Sequence, residues 1–439
     1  MSKISYIFKE RSVTNIIWLM SDSILRLGLG FVVNVWLARY LGPAEFGSFN
    51  YSFAMIAIYS AVASLGMNGV VVRELVKGDI DKSIIMGTSF VLQIIGSMSA
   101  SVLVILTVML LRPNEPSLML AVICMVPSVL FRSSDIIKYW FESTVSSKYT
   151  VISQNIAFFA SAFVKIFIIY FGGSYYLIAA TVTLEAFMLS LLLFFFYKKK
   201  EKLFQWKFDY EESKRLLSIS WPLVLSGVAL MLYMRIDQIM IGNIIGDTAV
   251  GIYSVAVKMV EVWYFIPVAI VSSLFPKIIK IREHSKESYD QRLQFLYDIL
   301  VIIGVTLALT ITFVSDYIIS LLYEHHYFAA SRIIKLYAWV SIFYFLSSAS
   351  GRWYINEGLQ KYALTRNLAG LVIGVILNYI LIPKYGAEGS VYATLIAFGC
   401  AGYLFDALSK KTRYAFIQKT KSLWLPGNIL RLITYYKRK

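Results

Sequence analysis

Charge is what this sequence has least of: only 15% of its 439 residues are Asp, Glu, Lys or Arg, against 58% apolar. A soluble domain averages about 25% charged and roughly 45–50% apolar residues. The chain therefore lacks the polar residues to cover a water-facing surface, which excludes an ordinary soluble fold. Acids are the scarcer sign, 26 against 42 Lys and Arg, for a net charge of +16. In a membrane chain such an excess first reports topology, so no nucleic-acid partner is expected.

Cysteine and histidine are nearly absent. Cys124 and Cys400 sit singly in apolar runs, without the spacing of a disulfide framework or a zinc site. His284, His325 and His326 lie in short polar connections and form no metal-ligating set. No GxxxxGK[ST] loop or GxSxG elbow occurs, so ATP-driven chemistry is not expected, nor any cofactor or metal.

Apolar runs are what the sequence has in abundance. A hydrocarbon core of about 30 Å needs about 20 apolar residues in a helix. Twelve such helices are predicted near 14–40, 46–67, 83–111, 118–138, 149–171, 175–197, 214–244, 248–275, 293–322, 331–350, 362–382 and 387–408. The first run follows Lys3, Lys9 and Arg11 like an export signal, but it is too long and lacks an A-x-A site, so it should remain as an anchor. With the N-terminus inside, roughly three quarters of the 42 basic residues fall on inner segments; the outer connections hold only Arg39, Arg112, Arg332 and Lys384. Both termini are thus expected in the cytoplasm.

LGPAEFGSFNYSFA at 41–54 overlays IGDTAVGIYSVAVK at 245–258, matching Gly42 with Gly246, Gly47 with Gly251 and Phe49 with Tyr253. Trp140 with Lys148-Tyr149 then overlays Trp353 with Lys361-Tyr362, and Phe171-Gly172 overlays Tyr385-Gly386, at nearly the same offset. Ordered matches of this kind point to an internal repeat. Six helices per copy is an even number, so the repeats would be parallel. The fold class expected is an all-α membrane protein of about twelve helices in two six-helix bundles, 1–197 and 214–409. A basic linker, 198–213, joins them, and a basic tail, 410–439, follows. Trp424, Leu425, Ile429, Leu430 and Ile433 are spaced for an amphipathic interfacial helix beginning after Pro426. Substrate would bind between the halves near the midplane.

A charge at the bilayer centre costs about 2.5–3.5 kcal/mol, so charges inside spans tend to face a cavity and to pair. Arg26 and Glu185 lie near the middle of the first and sixth spans, with Asp22 one turn inward of Arg26. Lys165 falls in the outer half of the fifth span, Arg235, Asp237 and Lys258 outward of centre, and Glu261 near the midplane. Arg366 is close enough to the inner surface to snorkel. Asp22 with Arg26 and Lys258 with Glu261 have helical spacing for structural ion pairs, which would make these charges tolerable without function. Their spread over both halves suits a shared cavity instead. Arg26, Lys165, Arg235 and Lys258 would hold an anion; Asp22, Glu185, Asp237 and Glu261 would bind a coupling ion or brace the cations.

NVWLARYLGPAEFGSFNYSFA at 34–54, SLGMNGVVVREL at 64–75, SWPLVLSGVALMLYMRIDQIMIGNIIGDTAVGIYSVAVKMVE at 220–261 and PKYGAEGSVYATLIA at 383–397 resemble the polysaccharide-export branch of the multidrug/oligosaccharidyl-lipid/polysaccharide (MOP) exporter superfamily. Within it, the chain is most similar to Wzx-type O-antigen repeat-unit flippases. The resemblance implies a non-enzymatic transporter of the bacterial inner membrane. It would turn undecaprenyl-pyrophosphate-linked oligosaccharide from the inner to the outer face for surface polysaccharide such as lipopolysaccharide. Its partners would be membrane lipids, a polysaccharide polymerase and a chain-length regulator. Arg235, Asp237 and Lys258 fall in matched motifs, and Arg73 in an inner connection, whereas Arg26 and Lys165 fall in none. No motif selects H⁺ over Na⁺. The runner-up is a multidrug antiporter of the same superfamily, which four membrane cations disfavour. A membrane polysaccharide-assembly enzyme would need a sizeable catalytic loop, and Asp79-Ile-Asp81 reads as a solvated face.

Overall fold

The computed structural model describes the backbone of residues 3–201, 205–282 and 285–437, and the side chains of 26–201, 205–282 and 285–434. Among these every regular element is a helix. In chain order they are α1 (Lys3–Ala63), α2 (Met67–Lys77), α3 (Lys82–Leu111), α4 (Pro116–Met125), α5 (Pro127–Phe131), α6 (Asp135–Ser143), α7 (Lys148–Tyr170) and α8 (Tyr175–Lys198). Then come α9 (Tyr210–Ile244), α10 (Asp247–Glu261), α11 (Phe265–Arg282), α12 (Lys286–Leu322), α13 (Ala329–Tyr337), α14 (Val340–Asn356), α15 (Gln360–Gly402), α16 (Arg413–Leu423) and α17 (Leu425–Lys437).

Ten helical stretches of the described residues are long and apolar enough to cross a membrane. Two of them, Arg26–Lys77 and Gln360–Ala407, contain 52 and 48 residues. At 1.5 Å per residue each would exceed twice a hydrocarbon core of about 30 Å. Both turn at a glycine, Gly42 at φ 68° and Gly386 at φ 64°. A Cβ makes that backbone region costly, so glycine sits where the helix must break. The breaks fall where the sequence separates 14–40 from 46–67 and 362–382 from 387–408. The run predicted at 118–138 is interrupted instead, because Pro127 has no N–H to continue α4 and a short 3-10 turn, Arg132–Ser134, precedes α6.

Polarity is distributed as a lipid solvent demands. Leu110, Phe163 and Phe313 are at least 70% exposed, whereas Gln93, Ser97, Ser101, Ser153 and Ser161 are buried. Small polar residues allow helices to approach closely where apolar burial gives no advantage over lipid.

Contacts divide the chain into two compact units, Met1–Leu41 with Ser48–Leu232, and Gly42–Gly47 with Tyr233–Lys439. The division falls inside α9, so the segment 210–232 packs with the first unit. Much of the basic stretch 198–213 is a fixed strap. Lys207 N–H donates to Ser83 O at 3.0 Å, Asp209 N–H to Thr88 Oγ1 at 3.0 Å, and Trp206 Nε1 to Tyr197 OH at 3.0 Å. A Cβ on Gly87 would lie 2.4 Å from Lys207 O, so only glycine admits the strap. Beneath it Met86, Ile137, Trp140, Phe141 and Leu193 form a buried core.

In the second unit the segment 42–47 packs on the start of α10. A Cβ on Gly47 would stand 1.8 Å from Asp247 O, and one on Gly251 2.0 Å from Pro43 O. Pro43 and Asp247, like Gly47 and Gly251, occupy equivalent places when 41–54 is overlaid on 245–258. The contact is therefore reciprocal.

Candidate functional site

In the second unit, α9 carries both Arg235 and Asp237. Two residues apart at about 100° per residue, they project from nearly opposite sides of the helix. Asp237 enters the interior, 7% exposed, where the Tyr253 hydroxyl donates to Oδ2 and Gln238 N–H donates to Oδ1 at 2.9 Å. Arg235 faces the end of α10, with Nη1 3.5 Å from Glu261 Oε1 and both side chains more than four-fifths buried. Lys258, one turn before Glu261, feels both charges. The expected pairing of Glu261 with Lys258 on its own helix is replaced by one with Arg235 of α9. Next to it Tyr264 stacks on Tyr344 with ring centroids 3.8 Å apart.

Behind Asp237 is a cavity of about 10 Å³ lined by Tyr233, Asn378, Thr394 and Phe398 among others. This is room for one water-sized occupant. Asn378 Oδ1 and Tyr233 OH are buried without a hydrogen-bond partner among the described residues. A carboxylate, an amide oxygen and a hydroxyl therefore converge on one small space, where they can take a proton, a water or a small hard cation.

In the first unit Arg26 donates to Gln154 Oε1 at 3.4 Å. The side chain of Asp22, its predicted neighbour, lies outside the described residues. Lys165 on α7 is half-buried, and Glu185 on α8 is the carboxylate that acts on it. Arg73 is half-exposed and joins a network in which Arg73 Nε donates to Glu74 at 2.9 Å and Arg215 donates to Glu74 at 2.6 Å and to Glu212 at 2.7 Å.

Arg366 does not snorkel. It is 6% exposed, donates to Ser350 Oγ at 2.9 Å and lies over the Tyr354 ring. The reason is the tail. α16 packs on α12 and on the 3-10 turn Leu404–Ala407 that follows α15, and Lys419, fully buried, donates to Asp406 Oδ2 at 2.7 Å, Gly402 O at 2.6 Å and Ser350 Oγ at 3.0 Å. Asp406 also accepts from the Tyr354 hydroxyl. α17 is clamped by Arg431, whose Nε and Nη2 each reach Asp298 at 2.8 Å. Asn378, Thr394 and this tail cluster escaped the sequence reading, whereas Tyr253 was singled out there only as the repeat counterpart of Phe49. Uncharged polar residues inside predicted spans were the available signal for the first two.

An all-helical fold in which ten stretches of the described residues can each cross a membrane is that of a multi-pass membrane protein. The chain matches the polysaccharide biosynthesis protein family over residues 12–282 and the MatE family over residues 222–380. It belongs to the polysaccharide biosynthesis protein family, in the polysaccharide flippase branch of the MOP exporter superfamily. It is 22% identical over 412 residues to a probable low-salt glycan biosynthesis flippase, Agl15, of Haloferax volcanii, spanning 90% of this chain and 83% of that protein. The fold is similar to that of the lipid II flippase MurJ in an inward closed conformation, with a TM-score of 0.70, 17% identity, and coverage of 96% of this chain and 93% of that one. An inward-facing multidrug resistance MATE transporter gives a TM-score of 0.70 at 14% identity, covering 91% and 95% of the two chains.

Proposed function

We propose that this chain is a flippase for undecaprenyl-pyrophosphate-linked oligosaccharide, O-antigen or a related surface polysaccharide unit, moving it from the inner to the outer face of a bacterial inner membrane. The supporting observation is in the second unit: Arg235 and Lys258, on neighbouring helices, lie within electrostatic reach of each other and of Glu261, while Asp237 is turned away toward Tyr253. Cations gathered in this way suit a pyrophosphate, which hydrocarbon cannot solvate. Arg26 and Lys165 would supply the first unit's share, and Arg73 would meet cargo at the cytoplasmic side. Glycan and lipid II flippases among the similar proteins support the same cargo class. The MatE match keeps the multidrug antiporter as the second reading, but a cationic amphiphile would meet Arg235 and Lys258 unfavourably.

In this reading, twelve helices form two six-helix bundles, 1–197 and 214–409, related by a parallel repeat with both termini cytoplasmic. The reciprocal Gly47 and Gly251 contact supports the repeat. Alternating access moves the headgroup while the polyprenyl tail stays in lipid, and a polymerase with its chain-length regulator receives the product. Coupling to an ion gradient runs through Asp237, whose water-sized cavity accepts a proton or Na⁺; Asp22, Glu185 and Glu261 serve as further acids or braces. One charge crossing the membrane exchanges about 2.3 kcal/mol per 100 mV. The test is deletion of the gene followed by analysis of lipid-linked sugars. Accumulation of a complete repeat unit at the inner leaflet, relieved by the wild-type chain, is expected; unchanged export without accumulation would overturn the proposal.

A further inference from the structure

A second cavity, of about 800 Å³, opens in the second unit between the start of α12 and the tail helices α16 and α17. Its walls carry Arg292, Lys421 and Arg431 together with Asp290 and Asp298. Both acids are hydrogen-bonded, and Asp298 is also neutralised by a cation. Asp298 accepts from Arg431, from Ser422 at 2.6 Å and from Gln294 at 2.9 Å, and Asp290 accepts from the Tyr414 hydroxyl at 2.6 Å. Arg431 is committed to Asp298 and to Lys421 O. Arg292 and Lys421 have no ion-pair partner among the described residues, so two uncommitted cations face the space.

The rim has the opposite character. Ile417 is 47% and Leu430 65% exposed, and Trp424, 66% exposed, lines an adjoining hollow that shares Lys421 and Arg431. Residues 410–439 contain nine Lys and Arg and no acid. A soluble anion would satisfy the cations and leave the apolar rim in water. An apolar peptide would cover the rim and leave the cations without a counter-charge. A lipid with an anionic headgroup satisfies both, its phosphate at the guanidinium and ammonium groups and its acyl chains along the rim.

We propose that this cavity is a binding site for the phosphate headgroup of an anionic inner-leaflet phospholipid, separate from the transport pathway. Arg292 and Lys421 hold the phosphate, and the clamp of Arg431 on Asp298 fixes the wall that presents them. The site joins the docked tail to the membrane surface through a lipid, so the tail is held by protein on one side and by lipid on the other. This inference needs the inner-face orientation of the tail and is independent of what the chain transports.

The test is retention of lipid by the full-length protein, measured by native mass spectrometry and by thermal stabilisation, with phosphatidylglycerol against phosphatidylcholine of the same acyl chains. Phosphatidylglycerol should be retained about tenfold better or more, as expected for two cations near a phosphate. The double substitution Arg292→Ala, Lys421→Ala should abolish the preference, and Arg292→Lys with Lys421→Arg should keep it. Arg292→Glu alone, outside the tail, should lower it in a chain whose α16 amides remain protected from exchange. No preference in the wild type, or an undiminished preference in both Arg292→Glu and the double alanine chain, overturns the proposal. Inorganic phosphate that stabilises as well as the lipid overturns it in favour of a free-anion site.

Discussion

Two buried polar clusters of the second unit are built on opposite plans. At the Lys419 and Asp406 pair the hydrogen-bond capacity is used up, although the Nε of the neighbouring Arg366 has no partner among the described residues: Lys419 and Tyr354 bind the carboxylate, and Ser350 and Gly402 O take the remaining ammonium protons. Around α9 it is not: Arg235 reaches Glu261 only at 3.5 Å, and on the Asp237 side Asn378 Oδ1 and Tyr233 OH have no hydrogen-bond partner among the described residues. A closed network fixes one arrangement, because every change in it strands a buried charge. An open one retains capacity for a ligand. The difference separates a structural lock from the proposed transport site more sharply than the presence of buried charge does.

The largest effect should come from breaking the lock. Lys419→Met leaves Asp406 buried without its cation and should cost about 3–5 kcal/mol, read as lost protein level and faster proteolysis of the tail. Lys419→Met with Asp406→Leu should recover most of it; equal damage in single and double variants would show that the pair is not the cause. Next, Arg235→Ala and Lys258→Ala should lower glycan export by about tenfold or more while protein level holds, as loss of a charge-assisted contact implies. Normal export by both would place the Glu261 cluster with the structural one and erase the contrast.

Asp237→Asn keeps the shape of the small cavity and removes its charge. Gradient-driven flux in vesicles should fall several-fold with cargo binding retained. Flux that never depended on a gradient would remove Asp237 from coupling.

The smallest effect is a pH dependence of the lock. Burial pushes the Lys419 ammonium down to about 8 from the ordinary 10.5, against the opposing pull of Asp406 and with Arg366 adding to the fall. Between those values the docked tail binds fewer protons than an undocked one, so docking should tighten as pH rises through that window. Amide exchange in α16 across pH 8 to 10 checks the sign. Weaker protection at the upper end would mean that Lys419 enters the cluster with its charge stabilised.

Much of the fold was legible in the sequence because lipid imposes a one-dimensional rule: any helix that crosses must be apolar over about 20 residues. The breaks at Gly42 and Gly386 and the placement of Arg235, Lys258 and Glu261 on helices of one half were readable for the same reason. Arg366 was misread, and the tail only half-read, for a different one. An amphipathic pattern such as Trp424, Ile429, Leu430 and Ile433 states that one face avoids water, not whether lipid or protein covers the other. The pairing of Asp237 with Tyr253, and the approach of Asn378 to it, join residues on separate helices and leave no local signature.

By itself, then, the sequence determined the solvent and the class: too little charge for water, helices to satisfy every backbone group in lipid, and cations whose cost in the membrane makes them the candidates to test. Tertiary structure alone decided which charges are locked and which are open. Whether a buried charge is satisfied depends on partners tens or hundreds of residues away, and only packing brings those within hydrogen-bond reach.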